Sequence, residues 1–75
     1  MSYQTYPATD AVAITNDVAY KEARAIYVGV GGDINLTVNG SNVLFKNAVA
    51  GSIIPVNSTK VVSTNTTATN LIALY

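Results

Sequence analysis

The sequence predicts an all-β fold: a small antiparallel β-sandwich or barrel of five to six strands with an extended N-terminal arm. Three observations predict it. Apolar and polar residues alternate with a period of two over residues 34–38, which is typical of a strand with one buried face. The pair Asn39-Gly40 then precedes another apolar run, and such a pair is the strongest short-range hairpin signal. Short apolar runs recur about every eight to twelve residues, as they do in small sandwiches and barrels.

Residues 1–22 are predicted to form an N-terminal arm or a short strand. They contain Pro7, three of the five tyrosines and three of the four acidic residues. The apolar run at residues 11–14 is bounded by Asp10 and by Asn16-Asp17. A run of this length is too short for a stable isolated helix, so an extended conformation is favoured.

Residues 23–75 are predicted to form a single β domain. Residues 25–30 are apolar on both faces, which favours a central strand. The strand that returns from the Asn39-Gly40 turn runs from Val43 to about Val49. Pro55 cannot donate to a ladder, so residues 53–56 are expected at a sheet edge or a strand start. Two further apolar runs, residues 60–63 and residues 71–75, are predicted to complete the sheets.

The composition indicates a small domain that depends on neighbours. A chain of 75 residues buries only about 60% of the surface that its unfolded form exposes. The sequence has no cysteine and no histidine, and its four carboxylates are scattered, so we expect neither a disulfide nor a metal site. Association with another chain is the remaining way to stabilise so small a core.

The charge pattern argues against two classes of partner. Four basic residues balance four acidic ones, which gives no electrostatic footprint for nucleic acid or an anionic membrane. Ser, Thr and Asn fill 22 positions while charged residues make up only 11%, and soluble monomers usually carry more charge. The N-terminal sequence MSYQTYPATD has no basic stretch and no apolar core, so we expect no signal peptide and no membrane partner.

Three glycines, Gly29, Gly31 and Gly32, raise the possibility of a phosphate-binding loop. A dinucleotide-binding loop needs G-x-G-x-x-G between a strand and a helix, but position 34 is Ile and a period-two strand follows. A P-loop needs Lys followed by Ser or Thr after its last glycine, and the sequence has no such pair there. We therefore expect these glycines to build a turn or bulge between two strands, with positive φ angles.

The tyrosines allow two interpretations. Tyr3, Tyr6 and Tyr20 could stack on sugars or bases. More often a tyrosine in a small β protein packs its ring and hydrogen-bonds its hydroxyl. Packing or subunit contact is therefore the favoured interpretation.

The remaining polar side chains give little support for catalysis. Arg24 could bind a carboxylate through two hydrogen bonds, either that of Asp33 or one on a neighbouring chain. Ser58 or Ser63 could pair with Lys60 as a nucleophile and base, but nothing in the sequence lowers the pKa of a lysine in an exposed strand. We predict no catalytic, cofactor-binding or metal-ligating residue, no cofactor and no enzymatic activity.

Several separated segments, in order, resemble a family of small phage proteins. They are the run from Arg24 to Gly29, the pair Gly32-Asp33, the aromatic Phe45, the turn from Gly51 to Pro55 and the end from Thr66 to Tyr75. In this order they resemble the head spike base or capsid decoration proteins of tailed phages, prophages and gene transfer agents. The resemblance covers residues 23–75. Where the family has a glycine before Thr-Thr, this chain has Asn65, which also tolerates positive φ.

The resemblance implies a structural virion protein on the capsid surface, assembled in the host cytoplasm, that acts as head decoration (cement) or as a spike base. It implies a homo-oligomer, a trimer or a pentamer, in contact with the major capsid protein and with a spike or fibre protein. The alternative function is a carbohydrate- or receptor-binding β module of a phage fibre or spike, for which exposed tyrosines and amide side chains are suited.

Overall fold

The structure is a computed structural model, and it describes residues 8–75. These residues form seven strands and contain no helix. The strands are β1 (Ala11–Ala13), β2 (Ala25–Val30), β3 (Gly32–Val38), β4 (Ser41–Ala48), β5 (Ile53–Ile54), β6 (Lys60–Val62) and β7 (Thr69–Leu74). All pairings between the strands are antiparallel.

Two sheets pack as a sandwich, which confirms the predicted fold class. The four-stranded sheet has the order β1-β7-β2-β5, and the three-stranded sheet has the order β4-β3-β6. The structure has seven strands among residues 8–75, where the sequence predicts five to six. The difference comes from β1 and β5, which are only three and two residues long. Strands this short carry little of the alternation that marks a strand in a sequence.

The core lies between the inner faces of the two sheets. In β3, β6 and β7 buried residues alternate with more exposed ones, which is the period of two of a strand. The largest fully buried apolar side chains are Ile26, Val28, Ile34, Leu36 and Val61. Each contributes about 1.5–3 kcal/mol through removal of its apolar surface from water.

The hairpin between β3 and β4 forms where Asn39-Gly40 predicts it. Val38 pairs with Ser41, so that Asn39 and Gly40 are the two central residues of the turn. Their φ angles are 52° and 79°, and two positive φ angles define the turn whose twist matches the flanking strands. This prediction is confirmed.

The positions of β2 and β5 also agree with the sequence. β2 lies between β7 and β5 inside the four-stranded sheet, as its apolar faces predict. β5 is the edge strand next to Pro55, where the missing N–H breaks no ladder.

The segment before Ala23 joins both sheets. β1 pairs with β7 at the edge of the four-stranded sheet. The chain then passes along β6 in the other sheet, where Asp17 N–H donates to the Val61 carbonyl at 2.7 Å and Tyr20 N–H donates to the Thr59 carbonyl at 2.8 Å. Edge strands expose unpaired backbone groups, and this segment satisfies part of the outer edge of β6.

Candidate functional site

Gly29 and Gly31 are required by close packing of the backbone. A Cβ atom on Gly29 would lie 2.5 Å from the carbonyl oxygen of Asn70, and one on Gly31 would lie 2.7 Å from that of Ala48. Neither glycine has a positive φ angle, so the expected reason for these two residues is wrong. Gly29 lies opposite Asn70 of β7, whose φ angle is 55°. At this position the backbone of β7 comes close to Gly29.

Gly32 does have a positive φ angle, of 152°. The ladder between β3 and β4 shifts register between Gly32 and Ile34, which confirms the predicted bulge. The N–H of the next residue, Asp33, donates to the Thr67 hydroxyl at 2.8 Å. A phosphate-binding loop needs free backbone N–H groups, and here that donor is already used within the chain.

Tyr20 packs its ring against the core and uses its hydroxyl within the fold. The hydroxyl lies 2.8 Å from the hydroxyl oxygen of Ser58, whose side chain is 0% exposed. Burial raises the pKa of Tyr20, and the hydrogen bond with Ser58 opposes that rise. The packing interpretation is confirmed for Tyr20, while Tyr3 and Tyr6 lie outside the described residues.

Ser58 and Ser63, which the sequence places near Lys60, both make other contacts. Ser58 shares its hydroxyl with Tyr20. Ser63 donates its backbone N–H to the Asp17 carboxylate at 2.9 Å, and hydrogen bonds from Ser63 lower the pKa of Asp17. Both serines therefore hold loops of the chain in place.

Arg24 and Asp33 lie near opposite ends of β2. Arg24 precedes its first residue, and Asp33 is the second residue of β3, three positions after the last residue of β2, so roughly 20 Å separates the two backbones. The Asp33 carboxylate instead accepts the N–H of Asn47 at 2.9 Å. Asn47 has a φ of 58°, and this contact fixes the bulge in β4.

The outer face of the four-stranded sheet is apolar. Strand register places Ala25, Tyr27, Ile72 and Leu74 on it, together with Ile53 opposite Tyr27. Tyr27 is 38% exposed and Ile53 is 55% exposed. We call this set the apolar sheet face.

The outer face of the three-stranded sheet is more polar. Register places Asn35, Thr37, Asn42 and Lys60 on it, beside the apolar Leu44 and Val62. The Thr37 hydroxyl donates to the Asn42 side chain at 2.8 Å. A solvated outer face is the ordinary state of an antiparallel sheet. The two outer faces of the molecule therefore differ in polarity.

Residues 8–75 offer neither a cluster of metal ligands nor a membrane-spanning helix. No group of three or more His, Cys, Asp or Glu side chains there could hold a metal ion. The same residues provide no helix of the length and apolar character that crossing a membrane demands.

Fold and surface together define a small β-sandwich with one largely apolar outer face. One solved structure is similar to it: a chain in the capsid of a native GTA (gene transfer agent) particle computed with C5 symmetry. The two share 32% sequence identity and a TM-score of 0.81, over 92% of this chain and 84% of that chain. This protein therefore belongs to the same family as that GTA capsid chain. No family model and no curated protein matches the sequence.

Proposed function

We propose that this protein is a non-enzymatic structural component on the outer surface of the capsid of a phage-like particle. The observation that carries the proposal is the likeness to a chain of a GTA capsid, over nearly the whole of both chains. Within that role it acts as a decoration protein that cements the shell or as the base that seats a spike or fibre.

The surface of the molecule supports this role. A chain with a small core and an exposed apolar sheet face is stabilised when neighbours cover that face. The partners in this proposal are further copies of the chain, as a trimer or pentamer, together with the major capsid protein. The apolar sheet face, centred on Tyr27, is the part that lies against the shell.

The alternative function, a sugar- or receptor-binding module, has less support. Tyr20, one of its three candidate stacking residues, is engaged by Ser58. The other two lie outside the described residues, and no observation on the described surface favours a sugar.

Binding to empty capsid shells tests the proposal. Tyr27→Asp places a carboxylate on the apolar sheet face, and Asn42→Asp places the same charge on the polar outer face while it keeps the acceptor for Thr37. We expect Tyr27→Asp to weaken shell binding tenfold or more, because an unpaired buried charge is costly. Asn42→Asp should bind like the original chain. Failure of the unmodified chain to bind shells, or equal binding by both variants, would contradict the proposal.

Copy number on purified particles separates the two roles within it. A copy at every capsomer indicates cement, and copies at the vertices alone indicate a spike base.

A further inference from the structure

The tip of the hairpin between β3 and β4 carries a chemically reactive pair of residues. Asn39 and Gly40 are both exposed, and nothing lies within 4 Å of the place where a Cβ of Gly40 would stand. The side-chain carbonyl carbon of an asparagine is open to attack by the backbone nitrogen of the next residue, because the two atoms close a five-membered ring. Glycine leaves that nitrogen unhindered, since it has no side chain. The pair that forms the turn is therefore also a pair that can react with itself.

The N–H group that follows Asn39 distinguishes it from the other asparagines outside the strands. Four of the eight asparagines lie there, at positions 16, 39, 57 and 65, and all four are exposed. After three of them the next N–H donates to a backbone carbonyl: Asp17 to Val61 at 2.7 Å, Ser58 to Ala23 at 3.3 Å and Thr66 to Ser63 at 3.1 Å. The hydrogen bonds within residues 8–75 include none from the Gly40 N–H. A nitrogen that donates to a carbonyl is held in place and keeps its proton, so that only the Gly40 nitrogen is ready to attack.

The asparagines within the strands are protected by the ladders. At positions 35, 42, 47 and 70, each is followed by a residue that has a side chain and a partner in a ladder. Ring closure requires rotation about the bond between Cα and the carbonyl carbon of the asparagine, and inside a strand this rotation breaks pairs on both sides. At Asn39 it opens only the tip, because the ladder begins at the pair of Val38 and Ser41. Local opening at a loop tip costs less free energy than opening inside a sheet.

We propose that Asn39 is a site of spontaneous deamidation in the folded protein. The Gly40 nitrogen gives its proton to hydroxide or a buffer base and bonds to the side-chain Cγ of Asn39, while the side-chain amide takes up a proton and leaves as ammonia. Water then adds to either carbonyl carbon of the resulting succinimide and opens the ring. One opening gives aspartate, and the other gives isoaspartate, in which the main chain runs through the side-chain carbons. The reaction consumes one water molecule and releases one ammonia.

The two products affect the hairpin differently. Each adds one carboxylate, which changes the formal net charge of the chain from 0 to −1. Aspartate leaves the backbone unchanged and, like asparagine, tolerates the φ of 52° at this position. Isoaspartate adds a methylene to a two-residue turn, and the length of the turn fixes the register of the strands that it joins. This register places Phe45 opposite Ile34 at the core, so the isoaspartate form should lose stability.

Incubation of the purified full chain in mildly alkaline water labelled with heavy oxygen tests the proposal. Each succinimide that opens takes one labelled oxygen into the product, and peptide mass spectrometry locates the label. Cleavage by trypsin after Lys46 separates Asn39 from Asn57, the internal control whose side chain and following N–H both donate to the Ala23 carbonyl. The same chain unfolded in urea gives the intrinsic rate at each site. The ratio of the unfolded to the folded rate, which measures protection by the fold, should be at least about tenfold smaller for Asn39 than for Asn57.

The variant Asn39→Asp separates the effects of charge and of turn length. It carries the charge of both products and the backbone of the first, so its Tm should stay close to that of the original chain. The isoaspartate form, separated by chromatography from the incubated protein, should have a Tm lower by about 4 °C or more.

The proposal is overturned when Asn39 gains label no faster than Asn57 in the folded chain, or when the fold protects the two sites equally. An isoaspartate form as stable as Asn39→Asp would overturn the effect assigned to turn length. The proposal goes beyond the proposed function and does not rest on it. Loss of shell binding by the unmodified chain, which contradicts the proposed function, would leave the labelling result unchanged.

Discussion

The hydrogen bond between Tyr20 and Ser58 offers a sharp test of how the N-terminal segment is held on the sandwich. In Tyr20→Phe the ring remains against the core, but the Ser58 hydroxyl, at 0% exposure, loses its partner. A buried hydroxyl without a partner costs about 1–3 kcal/mol. With about 2 kcal/mol as the central value, Tm should fall by roughly 8–16 °C for a domain of this size.

Ser58→Ala provides the comparison. It removes the buried hydroxyl and leaves the half-buried Tyr20 hydroxyl, which water can reach, so we expect a smaller loss of about 1 kcal/mol. The double variant, Tyr20→Phe with Ser58→Ala, should be more stable than the sum of the two losses predicts, because no orphaned hydroxyl remains. Urea unfolding of the four proteins gives the coupling energy, which we expect to exceed about 0.5 kcal/mol. Additive losses would refute the reasoning.

The same tyrosine predicts a pH dependence. Burial raises the pKa of Tyr20 in the folded chain, so the folded state keeps its proton at a pH where the unfolded state has lost it. The contribution is fully present below the unfolded pKa of about 10 and is lost as pH rises through the folded pKa. The difference in unfolding free energy between the original chain and Tyr20→Phe should therefore shrink above about pH 10. A difference that stays constant there would contradict the assignment.

Three further predictions follow from the turns, the core and the acidic loop. Gly40→Ala should lower the free energy of unfolding by about 1–2 kcal/mol, because alanine disfavours the left-handed conformation although its Cβ would have open space. Gly29→Ala should lower it further, because its Cβ would clash with the backbone of Asn70. Thermal unfolding that ranks the two variants in the reverse order would contradict this. Leu36→Ala should remove about 2–5 kcal/mol by leaving a cavity in the core, enough to unfold much of a marginal domain, as circular dichroism would detect. The lowered pKa of Asp17 stabilises the fold above the unfolded pKa of about 3.9, and this contribution is lost as pH falls through the folded pKa. In urea titrations, the free energy of unfolding of Asp17→Asn should therefore fall less between neutral and acidic pH than that of the original chain.

Features set by neighbouring residues in the chain could be predicted. The alternation over residues 34–38 indicated a strand with a buried face, and Ile34 and Leu36 are fully buried. Asn65, expected to tolerate positive φ, has a φ of 64°. Each of these depends on the local backbone preference of a residue or on the period of a strand, and both are readable from sequence alone.

Features set by contacts between distant residues could not be predicted. Gly29 was expected to provide a positive φ angle. A glycine is needed there instead because the backbone of Asn70, 41 positions along the chain, leaves no room for a Cβ atom. Ser58 was considered as a nucleophile, and only the pairing of Tyr20 with it shows that its hydroxyl stabilises the fold. No local pattern reports which backbone passes within 3 Å of a given residue.

The sequence by itself determined that this is an all-β chain with little charge and with the Asn39-Gly40 turn at its centre, because period and turn chemistry are local properties. The tertiary structure decided which surfaces are available to partners. The apolar runs in β2 and β7 read alike in sequence, and only the stacking of two sheets turned one side of each into the core. The same stacking left the other side as an outer apolar face, because burial depends on which strands meet.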